Sequence, residues 1–554
     1  MGKTLLILCA VPFLFQQALA QKETFTVRTI NDPSVSKSNY QLNSAWELTY
    51  GPDDSLWVTE NTSYLVSKIS TANGGKTQLL DLSGSRGFTT SQNPWPQGGL
   101  MGMALHPSMY SEWPNPSKPW VYLAYVYKFV GYFKAKNNED SGAFFKTRIV
   151  RYEYKRSTHK LINPVTIIES LNGSSDHNSG RLAIGKVNGI SYLFYTIGDM
   201  GTGQFKNLHR KNRAQLRDTL EGKVLRFNLD ATGPQTNLQS WIPSDNPFTD
   251  NNGNATPVWS YGHRNAQGLV FGSNGILYSS EQQDMSDDEV NIIEKGRDYG
   301  WPLVSGFSDG NYDGLTLANM NVISERQDSI SYNLHPPLLT MYTTPNPGTL
   351  YGKSNSTWPT VACSSIDIYD NFIIPKWGSS LLVPSLKAGQ VFKMQLSENG
   401  KSVTDMKTID AMNLENKARL RDICISPDGK KIYVSCDMSS QNNAYKGRIL
   451  EYTYSGRLGV LDMKRDSIIS PTLNTKIEVY PNPATNILNV RSLKSQTSPL
   501  HYSISDINGK AVLRGTSNTN NFGINIQTLN SGVYIFKLYN AYFINICSEK
   551  VVVN

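Results

Sequence analysis

The sequence predicts an all-β protein: a six-bladed β-propeller followed by a small C-terminal β-sandwich. Three observations carry this reading. A strand–turn unit recurs six times, the last copy ending at Asp437. Aromatic residues make up 10% of the 554 positions, with 43 Gly and 29 Tyr, a mix that suits short strands joined by tight turns. Near Leu461 the unit stops, and strands of a different, alternating pattern begin in the tail.

The first 20 residues, MGKTLLILCAVPFLFQQALA, place one Lys before an apolar run and end in Ala18-Leu19-Ala20. That is the order of a secretory signal peptide. The apolar run, 5–15, is about 11 residues long, short of the ~20 needed to span a membrane. Later stretches carry no transmembrane signal.

Residues 21–461 hold the repeats. The unit is a turn rich in Gly, Pro, Asp or Asn, then a short apolar strand, then an acidic residue. It reads GPDDSLWVTE at 51–60, GKVNGISYLFYTIGD at 185–199, GSNGILYSSE at 272–281 and SPDGKKIYVSCD at 426–437, with looser copies at 98–127 and 376–396. Strand–turn units without intervening helices favour a propeller, in which each blade covers its faces with its neighbours. A β-sandwich or solenoid is the competing architecture. Residues 462–475 are polar and read as a linker. The tail, 476–554, has alternating strands joined by Asn-Gly and Ser-Gly turns, as a small β-sandwich requires.

The net charge is +8, but Lys and Arg are scattered, so nucleic acid is not implied. A local anionic ligand remains open. The five Cys show no CxxC spacing, which argues against zinc and iron–sulfur sites. Cys424 and Cys436 flank a turn and either pair across adjacent strands or stay as buried thiols.

Three sets of residues stand out chemically. Arg264, Lys387, Arg419 and Arg421 sit at strand–loop junctions. Arg419 and Arg421 are two apart, so on an extended chain they point the same way. Like charges on one face want an anion between them, a polycarboxylate or a phosphate; the alternative is a solvated edge strand with Arg421 paired to Asp422 or a nearby acid. The acids Asp284, Asp287, Asp288 and Glu289 form either a solvated loop or an oxygen-donor set for a hard cation. His177, in SSDHNSGRLAIG, needs an orienting partner to act as a general base, and Asp199 in TIGDMG is placed to be one.

In chain order these stretches resemble the soluble pyrroloquinoline quinone (PQQ)-dependent glucose dehydrogenases and their aldose sugar dehydrogenase relatives. The carriers include PQGGLMGMALHP (96–107), SSDHNSGRLAIG (174–185), YGHRNAQGLVF (261–271), SDDEVNIIEKGRDYGWPLVSG (286–306), LLVPSLKAG (381–389) and RLRDICISPDG (419–429). The resemblance implies a six-bladed propeller that oxidises the anomeric carbon of an aldose to a lactone by hydride transfer to PQQ. It makes His177 the general base, Asp199 its orienting partner and Arg264 the group that stabilises charge on the quinone oxygen. Gln97 and Asp176 would line the sugar and cofactor site, Asn265 would join Arg264 at the quinone, and Trp358 would flank the cleft. Lys387, Arg419 and Arg421 would hold the PQQ carboxylates. A Ca²⁺ on PQQ would use the backbone carbonyls of Gln283 and Asp284, where the family has Gly-Pro. A structural Ca²⁺ set maps to Asp288, Glu289, Tyr299 and Asp309, with Glu325 a candidate for the remaining carboxylate. An external electron acceptor is implied, and a homodimer is left open.

The tail resembles the C-terminal sorting domain of the type IX secretion system of Bacteroidetes. Its carriers are Tyr480-Pro481-Asn482-Pro483, the Asp506–Lys510 turn and Ser531-Gly532-Val533-Tyr534. This implies export through the periplasm to the surface or medium. Two other readings of the whole chain stay open: a Ca²⁺-dependent propeller lactonase and a non-enzymatic glycan-binding propeller.

Overall fold

Strands that are apolar along their whole length cannot sit on a surface, and they mark the inside of this molecule. The inner strands Ala45–Tyr50, Leu100–Leu105, Leu182–Val187, Asn265–Phe271, Asp367–Tyr369 and Leu420–Ile425 each open a four-stranded antiparallel sheet. Leu100–Leu105, LMGMAL, is buried at every position. The outermost strand of the first sheet, Lys76–Asp81, is mostly exposed and polar. Burial falls from the inner strand to the outer one, as expected for sheets standing around a common axis.

The computed structural model describes residues 23–32, 42–134, 140–231, 237–371, 373–456, 477–492, 500–506, 511–539 and 545–554. The expected signal peptide and linker lie outside these residues.

Each of the six sequence repeats falls in a different four-stranded sheet. Adjacent inner strands are neighbours, and the last lies beside the first. Six apolar clusters fill the spaces between consecutive sheets. One of them joins the sixth sheet to the first through Cys424, Tyr433, Leu48 and Val58, so the ring is closed. The sixth sheet takes its outer strand from the start of the chain: Phe25–Thr29 pairs with Ile449–Tyr454. The irregular repeat spacing has two causes. The second sheet has strands of 14 and 15 residues that run past the others, and in the fourth sheet residues 293–338 intervene between the third and fourth strands.

One cation ties the ring together at its axis. Arg181, at the head of the third sheet, bonds Glu47 of the first at 2.6 Å and Asp422 of the sixth at 3.1 Å. It also donates to the carbonyls of Gln267 in the fourth sheet and Ser364 beside the fifth. Glu47 in turn accepts the Met103 amide of the second.

Cys424 and Cys436 are buried free thiols. Their strands pair antiparallel, but Cys424 faces Tyr433 and Cys436 faces Leu420, so the register keeps the two sulfurs apart. In the tail, a three-stranded and a four-stranded sheet share one apolar core that includes Leu488, Val490, Ile504 and Phe536.

Candidate functional site

The loop that carries His177 is held in a shape most residues avoid. His177 and Ser179 have φ of 49° and 53°. Asn178 clamps the loop: its side chain donates to the carbonyls of Gln97 and Ser174 and accepts the Ser174 amide at 2.7 Å. The facing strand end makes room. A Cβ on Gly198 would lie 2.1 Å from the His177 carbonyl oxygen, so this close approach requires glycine. Backbone strain of this kind persists where the surroundings fix it, and it concentrates at functional sites.

The fixed loop sets the imidazole against a carboxylate. His177 Nδ1 lies 2.7 Å from Asp199 Oδ1, and both residues are buried. The Asp199 carboxylate is itself held by the Gly201 amide and by Trp301 Nε1, at 3.0 and 2.8 Å. A carboxylate only accepts, so Nδ1 carries the proton and Nε2 offers a lone pair. That lone pair faces the amide of Gln204 at 2.8 Å. Gln204 also donates to Asp176 at 2.5 Å and accepts from Arg264 at 3.1 Å.

These groups line a cleft of about 660 Å³ together with Phe205, Gln283, Asp284, Trp358, Lys387 and Arg419. The cations in it are not neutralised in equal measure. Arg419 Nε is buried with no hydrogen-bond partner among the described residues. Burial and the neighbouring Arg421 push its pKa down, yet a guanidinium stays charged. Lys387 donates to the Trp358 carbonyl rather than to a carboxylate, and burial lowers its pKa too. Arg264 Nε is also without a partner among the described residues, while its terminal nitrogens bond the Gln283 carbonyl at 2.7 Å and the Asp284 carboxylate at 3.2 Å. Desolvated cations lacking counter-charges fit an anionic ligand with several oxygens.

Several expected residues stand elsewhere. Arg421 does not line the cleft. It is paired with Asp437 at 3.1 Å, bonds Gln267 and lies over Trp46, so it and Arg419 do not share one anion equally. Gln97 and Asn265 act from behind the wall: Gln97 accepts the Asn178 amide, and Asn265 bonds Gln282 and Ser179. Asp288 accepts from Gln283, Thr360, Val361 and Ala362, which spends its lone pairs on bracing two cleft loops. Tyr299 bonds the Ile292 carbonyl and stacks on His263. Asp309 caps the Asn311 amide. Among the described residues, no group of three or more His, Cys, Asp or Glu forms a metal-holding cluster. Glu289 and Glu325 do converge on one loop, accepting the amides of Gly306 and of Ser305 and Gly310. Burial raises both, Glu325 to about 7.

Sequence reasoning missed Gln204, Phe205 and Trp301. Gln204 follows three glycines in GDMGTGQF, a turn signal that gives no hint that the chain folds back over His177.

A ring of sheets with a buried His–Asp couple beside a cation-lined cleft defines a class of propeller proteins that work on a ligand at one mouth. The chain belongs to the glucose/sorbosone dehydrogenase family, whose profile matches residues 42–445. Residues 478–554 match the secretion system C-terminal sorting domain. Quinoprotein glucose dehydrogenase B of Acinetobacter calcoaceticus is 33% identical over 490 residues, covering 80% of this chain and 94% of that one. Aldose sugar dehydrogenase YliI of Escherichia coli is 30% identical over 269 residues, covering 48% and 59%. The apo-form structure of a soluble aldose sugar dehydrogenase from Escherichia coli superposes with a TM-score of 0.54 at 24% identity, over 78% of this chain and all of that one.

Proposed function

We propose that the protein is a PQQ-dependent aldose dehydrogenase, a six-bladed propeller exported by the type IX route through its C-terminal sorting domain. The observation that carries this is the His177–Asp199 couple facing a cleft whose cations Lys387 and Arg419 lack acidic partners among the described residues.

PQQ has three carboxylates, and the donor set fits it: Lys387 and Arg419 would hold carboxylate oxygens, and Arg264 would meet the quinone edge. Bound there, PQQ supplies a two-electron acceptor for the hydride of the anomeric carbon, with Ca²⁺ as a Lewis acid. The Gln283 carbonyl and Asp284 carboxylate are oxygen donors of the kind Ca²⁺ takes, and Arg264 engages both, so the ion would share them with Arg264.

His177 Nε2 takes the proton of the anomeric hydroxyl. Asp199 keeps Nδ1 protonated, holds the ring at its angle and stabilises the imidazolium that forms. To reach Nε2 the hydroxyl displaces the Gln204 amide, which makes Gln204 a gate on the base. Asp176 and Gln204 offer polar contacts to the sugar hydroxyls, and Phe205 and Trp358 offer aromatic surface beside them.

The test is a panel of aldoses with an artificial dye acceptor, run with and without PQQ and Ca²⁺, on wild type and His177→Ala. Dye reduction that requires PQQ and is lost in the variant supports the reading. No reduction with any aldose after PQQ loading sinks it.

A further inference from the structure

Exposed apolar side chains gather on one flank of the cleft mouth. Val130, Tyr132 and Phe133 are 46%, 38% and 52% exposed, Phe205 and Leu208 72% and 51%, and Met320 37%. They come from three segments that touch. Lys206 Nζ lies 5.8 Å from the centre of the Tyr132 ring. Asn319 Nδ2 donates to the Leu208 carbonyl at 2.8 Å. Gly203 packs on Ala318 closely enough to leave no room for a Cβ. Phe205 belongs both to this flank and to the wall of the cleft. Exposed apolar side chains carried by segments that touch at the edge of a cleft mark an interaction site.

The charge on these three segments has one sign. Segments 128–134, 203–211 and 316–321 contain no Asp or Glu, while Lys128, Lys134, Lys206 and Lys211 on them are all exposed. Asp140, on the returning strand, is already paired with Arg213. An apolar patch ringed by lysines at the edge of a redox cleft is the surface a weak, fast electron-transfer encounter needs: little area, strong steering.

We propose that this flank docks an acidic one-electron carrier protein that reoxidises the enzyme; the proposal rests on the aldose dehydrogenase reading. The two electrons taken from the sugar leave one at a time to two oxidised carriers, and the two protons go to water. A second copy of the chain is disfavoured as the occupant, because a two-fold contact through this flank would set lysines against lysines.

The experiment uses a small acidic ferricytochrome c as probe, a basic ferricytochrome c as counter-probe and a neutral dye as control. The variants are Lys128→Glu/Lys134→Glu/Lys206→Glu and Phe133→Ser/Met320→Ser. Binding of the acidic cytochrome to the protein without sugar is measured alongside the reduction rates, at low and high salt. Wild type is expected to bind and reduce the acidic cytochrome, and both effects weaken with salt. Charge reversal should cut kcat/KM for the acidic cytochrome about 10-fold or more, raise it for the basic one and leave dye reduction unchanged. The apolar variant should slow both cytochromes but not the dye. Equal rates across the variants, or no binding of the acidic cytochrome by wild type at low salt, overturns the proposal. So does sedimentation showing a dimer that the variants split, or binding of phosphatidylserine vesicles that the charge reversal abolishes while cytochrome rates stay constant. Absence of dye reduction in wild type counts against the sugar oxidation reading instead, since cytochrome binding still reports on the flank.

Discussion

At the scale of single residues, the chemistry depends on which polar groups are spoken for. His177 offers one nitrogen because Asp199 holds the other. Removing the proposed base, His177→Ala, should lower kcat by roughly 10²–10⁴-fold while PQQ still loads, since the imidazole is not among the groups that would hold carboxylates. That split is read by steady-state kinetics beside a reconstitution titration. Arg419→Ala should do the reverse. A charge-assisted bond is worth about 1.5–3 kcal/mol, so half-reconstitution should need roughly 10–100-fold more PQQ. Arg421→Ala should destabilise the fold as well, because it strands Asp437 in a buried position. Sequence reasoning named Arg419 and Arg421 as a pair. It had no access to Asp437, which follows directly on the end of the next strand and claims one of them.

At the scale of elements, the active loop and the strand end facing it form one unit. The left-handed backbone at His177 and Ser179, the Asn178 clamp and the bare Cα of Gly198 each serve the same approach. Gly198→Ala forces the His177 carbonyl to shift. Activity and stability should then both fall, seen as a large loss of kcat together with a lowered Tm, because the atoms in the way are backbone on two sides. The sheets themselves answer to packing. Leu193 is fully buried between the second and third sheets, and Leu193→Ala should cost about 2–5 kcal/mol, measured by denaturant unfolding. The strands were readable because alternation and turn dipeptides are local. The long insertion 293–338 was not, since its path from the outer edge to Asp199 through Trp301 follows no periodic pattern.

For the whole molecule, the axis matters most. Arg181 joins the sheets through two carboxylates and two carbonyls, but one guanidinium cannot fully offset both Glu47 and Asp422. Burial and the Asp422 charge push Glu47 up to about 8. A carboxyl with a raised folded pKa contributes stability that is complete below its unfolded pKa and lost as pH rises through the folded one. Thermal stability should therefore decline between about pH 5 and pH 8. Glu47→Gln should flatten that slope, and a slope unchanged in the variant would assign it to other groups.

The repeat number, the site motifs and the change of pattern at the tail were all present in the order of residues. Each is written in short range, in strand periodicity, turn dipeptides and neighbouring polar residues, so reading along the chain finds them. Which charges stay unpaired was settled by folding alone. Asp437 neutralises Arg421, Asp422 answers Arg181 and Gln204 folds over His177 because closing the ring brings distant strands together. A desolvated charge takes whatever partner that closure supplies; among the described residues Arg419 meets no acid there, and that is what leaves the cleft cationic.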